Sequence, residues 1–384
     1  MKIMLVTALV AGGVGSHVRA LAGGLAADGH RVVVACPPSV ADRLGPPAAG
    51  VTYVDVPVGS RPHPVRDRRA VRLLRGLMHG ADVVHAHGLR AGALTVTARR
   101  VGRAPRPRLV VTTHNAPPEG RAARAVYAVL EQVVAHGADQ VLCVSPDLVD
   151  RAHRAGAAHP ALAVVPAPSA DPVPEEERRV VRARVRRGLG LAADGDVALV
   201  VNAGRLSQQK DQATLVEAVD LLTDGILARG GQRALPVLVV AGEGPARPAL
   251  EARVSATHER TDVRLVGHRA DLPDLLVAAD VVVSSARWEG QPVWLQEALH
   301  AGAPVVATDV GGTSTVLGDA GLLVDGGTGG DRARALADAL ARVLDEPALR
   351  EDLRRRSLER AAQLPTQADA VRAALTAYRP PEPG

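Results

Sequence analysis

Residues 279–308 constrain what this chain can fold into more than any other stretch. Ala279-Asp280-Val281-Val282-Val283-Ser284-Ser285 is short, apolar and β-branched, without helical spacing, and predicts a buried strand. Glu289-Gly290-Gln291 then makes a loop at the strand's C-terminal end. Pro292 suits the first position of a helix, because its φ is preset and no helix needs its missing N–H there. Trp294, Leu295, Ala298 and Leu299 give that helix an apolar face, while Gln296, Glu297 and His300 share the other. Two carboxylates, Glu289 and Glu297, are thereby held in one neighbourhood. The N–H groups of Val293 and Trp294 lie between them at the positive end of the helix dipole, which suits an anion flanked by hydroxyls. Strand–loop–helix units occur in every parallel α/β domain, so this spacing alone leaves a plain structural reading open.

The longer pattern is more specific. Seven residues separate Glu289 from Glu297, and Glu297-Ala298-Leu299-His300-Ala301-Gly302-Ala303-Pro304-Val305-Val306-Ala307-Thr308 and Gly311-Gly312 follow. This stretch resembles the signature of the family-4 retaining glycosyltransferases with the GT-B fold. The resemblance runs from the first strand to about Leu344. It implies an α/β protein of two doubly wound Rossmann-like domains facing a central cleft. Residues 1–168 would form the N-terminal acceptor-side domain and 175–365 the C-terminal nucleotide-sugar-binding domain. The final helix, within 366–384, would cross back onto the first domain.

Length and composition fit two domains. At 384 residues and 47% apolar content, each half can bury a sizeable core. Phe is absent and the other aromatics are few, so the cores must be built from Val, Leu and Ala. The same scarcity argues against a nucleic-acid partner bound by base stacking. The net charge is +5, and of 46 basic residues only Lys2 and Lys210 are lysines. A modest arginine excess of this kind fits a composition bias, and it also suits anionic substrates or an anionic membrane surface. Cys36 and Cys143 fall at the ends of predicted strands. They make no disulfide scaffold, and no metal-ligand spacing is present. The apolar start, Met1 to Gly12, continues into an amphipathic helix and a second strand rather than a cleavage site. No run approaches the ~18 apolar residues of a membrane span. The expected location is cytoplasmic, with contact to the inner face of the membrane as an open alternative.

In the first half, Lys2 to Thr7 reads as a strand, followed by the glycine-rich turn Ala11-Gly12-Gly13-Val14-Gly15-Ser16-His17-Val18 opening a helix. Gly13-Val14-Gly15 fits part of a dinucleotide fingerprint. The third position is Val18, however, and the next strand ends Val34-Ala35-Cys36-Pro37 without an acid for a ribose, which weighs against a nicotinamide cofactor. By the resemblance this loop lies near the donor phosphate, with the amides of Gly15 and Ser16 as candidates. Val65 to Arg75 reads as a basic amphipathic helix, either a solvated face or a membrane-surface patch. His85 and His87 end one strand and His114 follows another, where a parallel sheet runs toward its ligand edge. The family carries a histidine after each of these strands, which would turn His87 and His114 to the sugar or acceptor, His114 foremost.

In the second half, Pro-rich residues 167–174 mark a linker. The family's common Asn-Gly-Val-Asp is replaced there by Pro168-Ser169-Ala170-Asp171, so no role is carried over. Glu175 to Gly190 reads as a solvated, arginine-rich helix. Val197 to Ala203 is a strand, and Gly204-Arg205-Leu206-Ser207-Gln208-Gln209-Lys210-Asp211 then brings two cations into a helix predicted from Asp211 to Leu222. Fixed Arg and Lys groups can stabilise a departing diphosphate without a metal. Gly267-His268-Arg269, after the strand Val263 to Val266, corresponds to the family's turn beside the nucleotide base. Thr315 stands where the family often has a glutamate, and Gln291-Pro292 replaces its common Phe-Gly.

The resemblance thus implies transfer of a sugar from a UDP- or GDP-linked donor to an unidentified acceptor (a glycan, lipid or small molecule), with retained configuration and no cofactor. Arg205 and Lys210, with the amides of Val293 and Trp294, would hold the leaving diphosphate. Glu297 would accept hydrogen bonds from the ribose, Glu289 from sugar hydroxyls, and His114 would orient sugar or acceptor. Glu289 as a covalent nucleophile follows glycosidase logic, but the family's usual picture is a front-face displacement without one. A sugar-nucleotide epimerase of the same architecture and a non-catalytic sugar-nucleotide-binding protein remain as rivals.

Overall fold

The computed structural model describes residues 1–8, 13–59, 61–101, 106–168, 171–230, 233–327 and 329–380. The chain forms two compact units: Met1–Pro166 with Pro365–Gly384, and Ala167–Leu364.

The first unit alternates strand and helix: β1 (Lys2–Thr7), α1 (Gly13–Ala27), β2 (Arg31–Cys36), α2 (Pro38–Leu44), β3 (Val51–Asp55), α3 (Pro64–Met78), β4 (Val83–His87), α4 (Leu89–Arg100), β5 (Arg108–Thr113), α5 (Arg121–Ala135), β6 (Gln140–Cys143), α6 (Pro146–Arg154) and β7 (Pro160–Leu162). The parallel sheet runs β3-β2-β1-β4-β5-β6-β7. Helices cover both faces of such a sheet, so its central strands are buried on both faces rather than on alternate residues. β1 and β4 accordingly bury nearly every residue.

The second unit repeats the plan: α7 (Glu175–Gly188), β8 (Leu199–Ala203), α8 (Gln212–Ala228), β9 (Val237–Ala241), α9 (Arg247–Ser255), β10 (Asp262–Gly267), α10 (Leu272–Ala278), β11 (Val281–Ser284), α11 (Val293–His300), β12 (Val305–Asp309), α12 (Thr313–Leu317), β13 (Gly321–Asp325), α13 (Gly329–Asp345) and α14 (Pro347–Ala361). Its parallel sheet runs β10-β9-β8-β11-β12-β13. α15 (Gln367–Ala377) belongs to the first unit. Thr366 and Asp369 start it with a reciprocal capping box, and Val371, Ala374 and Tyr378 join the core made by Ile3, Leu5, Val18, Leu21 and Leu25.

Four local expectations need correction. α7 is not solvated: Val181 and Val185 are buried, and so are two of its arginines. The Arg186 guanidinium donates to the carbonyls of Ala192, Gly195 and Val197, and Arg178 donates to those of Val277 and Ala301. Arginine forks can satisfy several buried carbonyls at once, which lets a charged helix face inward. α8 starts at Gln212 and runs to Ala228, with Asp211 left-handed ahead of it (φ 49°, ψ 44°). Pro292 caps α11 rather than opening it, in an extended conformation (φ −70°, ψ 96°). Gln296, expected on the open face of that helix, is buried, and its Oε1 accepts the Ala167 N–H at 2.9 Å. α3 buries Ala70, Leu74 and Met78 and leaves Arg68, Arg69 and Arg72 exposed beside Val65 and Leu73.

Candidate active site

The C-terminal ends of the second unit's strands are tied into a single crest by backbone contacts. The Gly204 N–H donates to Ala241 O, Leu206 N–H to Glu243 O, and Gly242 N–H to Gly267 O at 2.7 Å. The backbone packing is close enough that a Cβ on Gly242 would sit 1.9 Å from Gly204 O. Only glycine permits that approach. On the other side of β8, Arg287 N–H donates to Gln209 O, the Gln209 amide to Trp288 O, and the Ser285 hydroxyl to Lys210 O and Asp211 O. Gly312 N–H donates to Glu289 O, adding the loop after β12.

Within this crest the Lys210 ammonium donates to Oε1 of Glu289. The Glu289 side chain is nearly excluded from solvent, while that of Lys210 is partly exposed. Arg205 is exposed, and among the described residues its guanidinium makes no ion pair. At α11 the first intrahelical acceptor is Pro292 O, which takes the N–H groups of Leu295 and Gln296. Those of Val293 and Trp294 precede it and point out of the helix start. Glu297 is half-buried, and desolvation raises its carboxyl above the usual range. The sites expected for the diphosphate, ribose and sugar therefore share one edge. Gly267 (φ 71°) and the exposed His268 lie on that edge two strands from β8.

The first unit gathers four histidines. His85 Nδ1 lies 2.9 Å from the Tyr378 hydroxyl and its Nε2 2.7 Å from that of Thr112. A neutral ring can satisfy both, donating to one hydroxyl and accepting from the other. His87 Nδ1 and His114 Nε2 are 3.2 Å apart, and His17, on α1, sits with its ring centre 5.7 Å from that of His87. Among the described residues, His17 Nδ1 and His87 Nε2 are buried without a partner. Burial disfavours the charged ring, so His17 falls to about 4, His85 and His114 to about 3, and His87 well below its ordinary value. His17 and His85 also wall a cavity of about 590 Å³ beside α15. Among the described residues no group of three or more His, Cys, Asp or Glu is placed to hold a metal ion. Gly15 and Ser16 are the third and fourth residues of α1, Gly15 buried and Ser16 exposed. Ala11 and Gly12 of their loop lie outside the described residues.

Two family profiles match the chain: "Glycosyl transferase 4-like domain" over residues 12–168 and "Glycosyl transferases group 1" over residues 198–346. A D-inositol 3-phosphate glycosyltransferase of Corynebacterium efficiens is 31% identical over 314 residues, covering 76% of this chain and 69% of that one. The chain belongs to the group 1 glycosyl transferases. An alpha-D-kanosaminyltransferase of Streptomyces kanamyceticus is 32% identical over 212 residues, 54% of this chain; the match spans half of that relative's length. The fold of this group 1 chain is GT-B. The Anabaena HepE structure, solved in complex with UDP and glucose, superposes with a TM-score of 0.76 at 18% identity, over 98% of both chains.

Several residues of these two clusters, one in each unit, escaped the sequence reading. Asp211 accepts from Arg287 Nε and Arg332 Nη1, each at 2.9 Å, and both Asp211 and Arg332 are buried. Arg332 lies 121 residues beyond its partner, and nothing in its local sequence marks it. His17 carries a weak signal: it occupies the same helical face as Leu21 and Leu25, where a buried polar residue stands out. Tyr378 carries none, because only the docking of α15 brings it to His85.

Proposed function

We propose that the protein is a retaining glycosyltransferase that moves a sugar from a nucleoside-diphosphate sugar to an acceptor hydroxyl. The observation that carries this reading is the Lys210–Glu289 pair on the crest beside Arg205 and the start of α11. Arg205, Lys210 and the amides of Val293 and Trp294 offer positive charge and donors to a diphosphate. Glu289 and Glu297 offer acceptors to sugar and ribose hydroxyls. Membership of the group 1 family supports the assignment, and the UDP and glucose bound by HepE favour a UDP-linked donor over a GDP-linked one.

In the proposed reaction the bond between the anomeric carbon and the diphosphate oxygen breaks, and the leaving group takes the electron pair. The acceptor oxygen bonds to the same face of that carbon, and its proton passes to the departing phosphate oxygen. Arg205 and Lys210 supply charge that need not reorganise as the leaving group becomes more negative. Donor phosphates compete with Glu289 for Lys210, so binding frees the Glu289 carboxylate for the sugar. His114, neutral at pH 7, is assigned to the sugar or acceptor as a hydrogen-bond partner and not as a cation. The amides of Gly15 and Ser16 are assigned to the donor phosphate, and Gly267 and His268 to the base. No metal or cofactor enters this scheme. The exposed Arg68, Arg69 and Arg72 of α3 are the segment to test for contact with anionic vesicles.

A thermal-shift and turnover screen with UDP- and GDP-linked sugars tests this, comparing wild type with Lys210→Ala and Glu297→Ala. A donor that binds only the native state raises the melting temperature by mass action. The expected result is a shift with one donor, its loss in both variants, and release of the nucleotide. Isomerisation of the donor without an acceptor would replace the transferase by the epimerase reading. No shift at millimolar sugar nucleotide would overturn the proposal.

A further inference from the structure

We propose that Asp211 is a positioning residue that fixes Lys210 opposite Glu289, through a clamp on the buried Arg332 and the exposed Arg287. Its role rests on the transferase reading only for its effect on turnover.

Asp211 is the only non-glycine residue with positive φ among the described residues. It immediately precedes α8, where an aspartate ordinarily stays extended and caps the first N–H groups with its side chain. Asp211 makes no such cap bond. Its Oδ2 instead accepts from Arg332 Nη1 and Arg287 Nε, both at 2.9 Å. Local preference is thus overridden by tertiary partners, and residues held this way concentrate at functional sites.

The clamp has a fixed end. Arg332 is buried at the start of α13, and its Nε and Nη2 donate to Gly326 O and Gly327 O. It would stay in place without Asp211. The other end reaches the pair from both sides: Lys210 adjoins Asp211, and Arg287 lies two residues before Glu289. Ser285 grips the carbonyls of Lys210 and Asp211 from the same loop. One carboxylate therefore sets where Lys210 leaves the left-handed turn and where the Glu289 loop lies against it.

The chain's lysine content makes this directly measurable. Reductive methylation with ¹³C-formaldehyde labels only Lys2, Lys210 and the terminal amine. Lys210→Arg assigns the Lys210 signal, and Glu289→Gln shows where it moves once the pair is lost. Asp211→Gly tolerates the left-handed backbone and removes only the carboxylate. The expected result is a Lys210 signal moved toward its Glu289→Gln position, with Lys2 unmoved and helix content retained. Arg332→Met cuts the clamp from its other end and should do the same, which keeps the test decisive if Asp211→Gly folds poorly. A Lys210 signal unmoved by both substitutions overturns the proposal.

With a turning-over donor, Asp211→Gly should lower kcat at least tenfold. Combined with Lys210→Ala it should cost no more than Lys210→Ala alone, because both act through one ammonium. Independent, additive losses overturn the positioning role. If no sugar nucleotide binds wild type, the transferase reading falls, while the Lys210 signal still decides the clamp.

Discussion

The Lys210 ammonium and the Glu289 carboxylate form an ion pair with unequal exposure: the glutamate side chain is 5% exposed and the lysine 19%. Removing either partner should therefore have unequal costs. Lys210→Ala leaves a buried carboxylate without its cation, which costs about 1–3 kcal/mol. Glu289→Gln keeps an acceptor oxygen, and the lysine can turn to water, so the cost should stay below about 1 kcal/mol. Urea unfolding at pH 7 measures both. A larger loss for Glu289→Gln would mean that solvent access does not govern the pair.

Gly311 should tolerate no side chain. Its φ is 57°, and a Cβ there would lie 1.9 Å from Glu289 O, the carbonyl that accepts the Gly312 N–H. Gly311→Ala adds the left-handed penalty of about 1–2 kcal/mol to a backbone clash that can be relieved only by moving the Glu289 loop. The expected outcome is a total loss of about 3 kcal/mol and loss of any donor-induced thermal shift. Retention of wild-type melting and donor response would show that the loop moves freely.

The contrast between these two sites shows what the sequence could reveal. Lys210, Glu289 and the glycines sit in short local patterns, where loop chemistry and helix starts follow from neighbouring residues. The parallel strands were legible for the same reason, as unbroken Val-rich runs. The α7 helix was legible as a helix, but its burial was not. Arg178 read as solvated because its acceptors, Val277 O and Ala301 O, lie about a hundred residues away. Asp211 with Arg332, and Tyr378 with His85, are likewise products of long-range packing, which side-chain identity does not encode locally.

Arg186 finds its acceptors nearer in sequence, on the turn that follows its own helix, and its burial can be measured directly. Its side chain is fully buried and supplies donors to three carbonyls, those of Ala192, Gly195 and Val197. Arg186→Lys keeps the charge but cannot reproduce the planar fork, and should cost about 2 kcal/mol. Arg186→Met abandons all three carbonyls and should cost more, about 4 kcal/mol. The check is the denaturation midpoint of each variant at neutral pH. A methionine variant as stable as wild type would mean that water reaches these carbonyls unaided.

The histidine cluster should make the first unit sensitive to acid. In the unfolded chain each ring has a pKa near 6.5, whereas in the fold His17 is held at about 4, His85 and His114 at about 3, and burial holds His87 well below its ordinary value. The unfolded state therefore binds more protons as pH falls below 6.5, and native stability drops with it. The loss begins near pH 6.5 and continues until the folded rings themselves titrate, near pH 3–4. Each histidine contributes up to about 1.4 kcal/mol per pH unit, so His17, His85 and His114 together remove about 6 kcal/mol by pH 5, comparable to the whole stability of a domain, and His87 adds to the loss. Acid unfolding is expected near pH 5, followed by circular dichroism. Replacing two rings, His17→Gln with His85→Gln, should halve the steepness of stability against pH between 6 and 5. An unchanged slope would place the acid sensitivity in carboxylates instead, because the two glutamines cannot take up the protons that the imidazoles do.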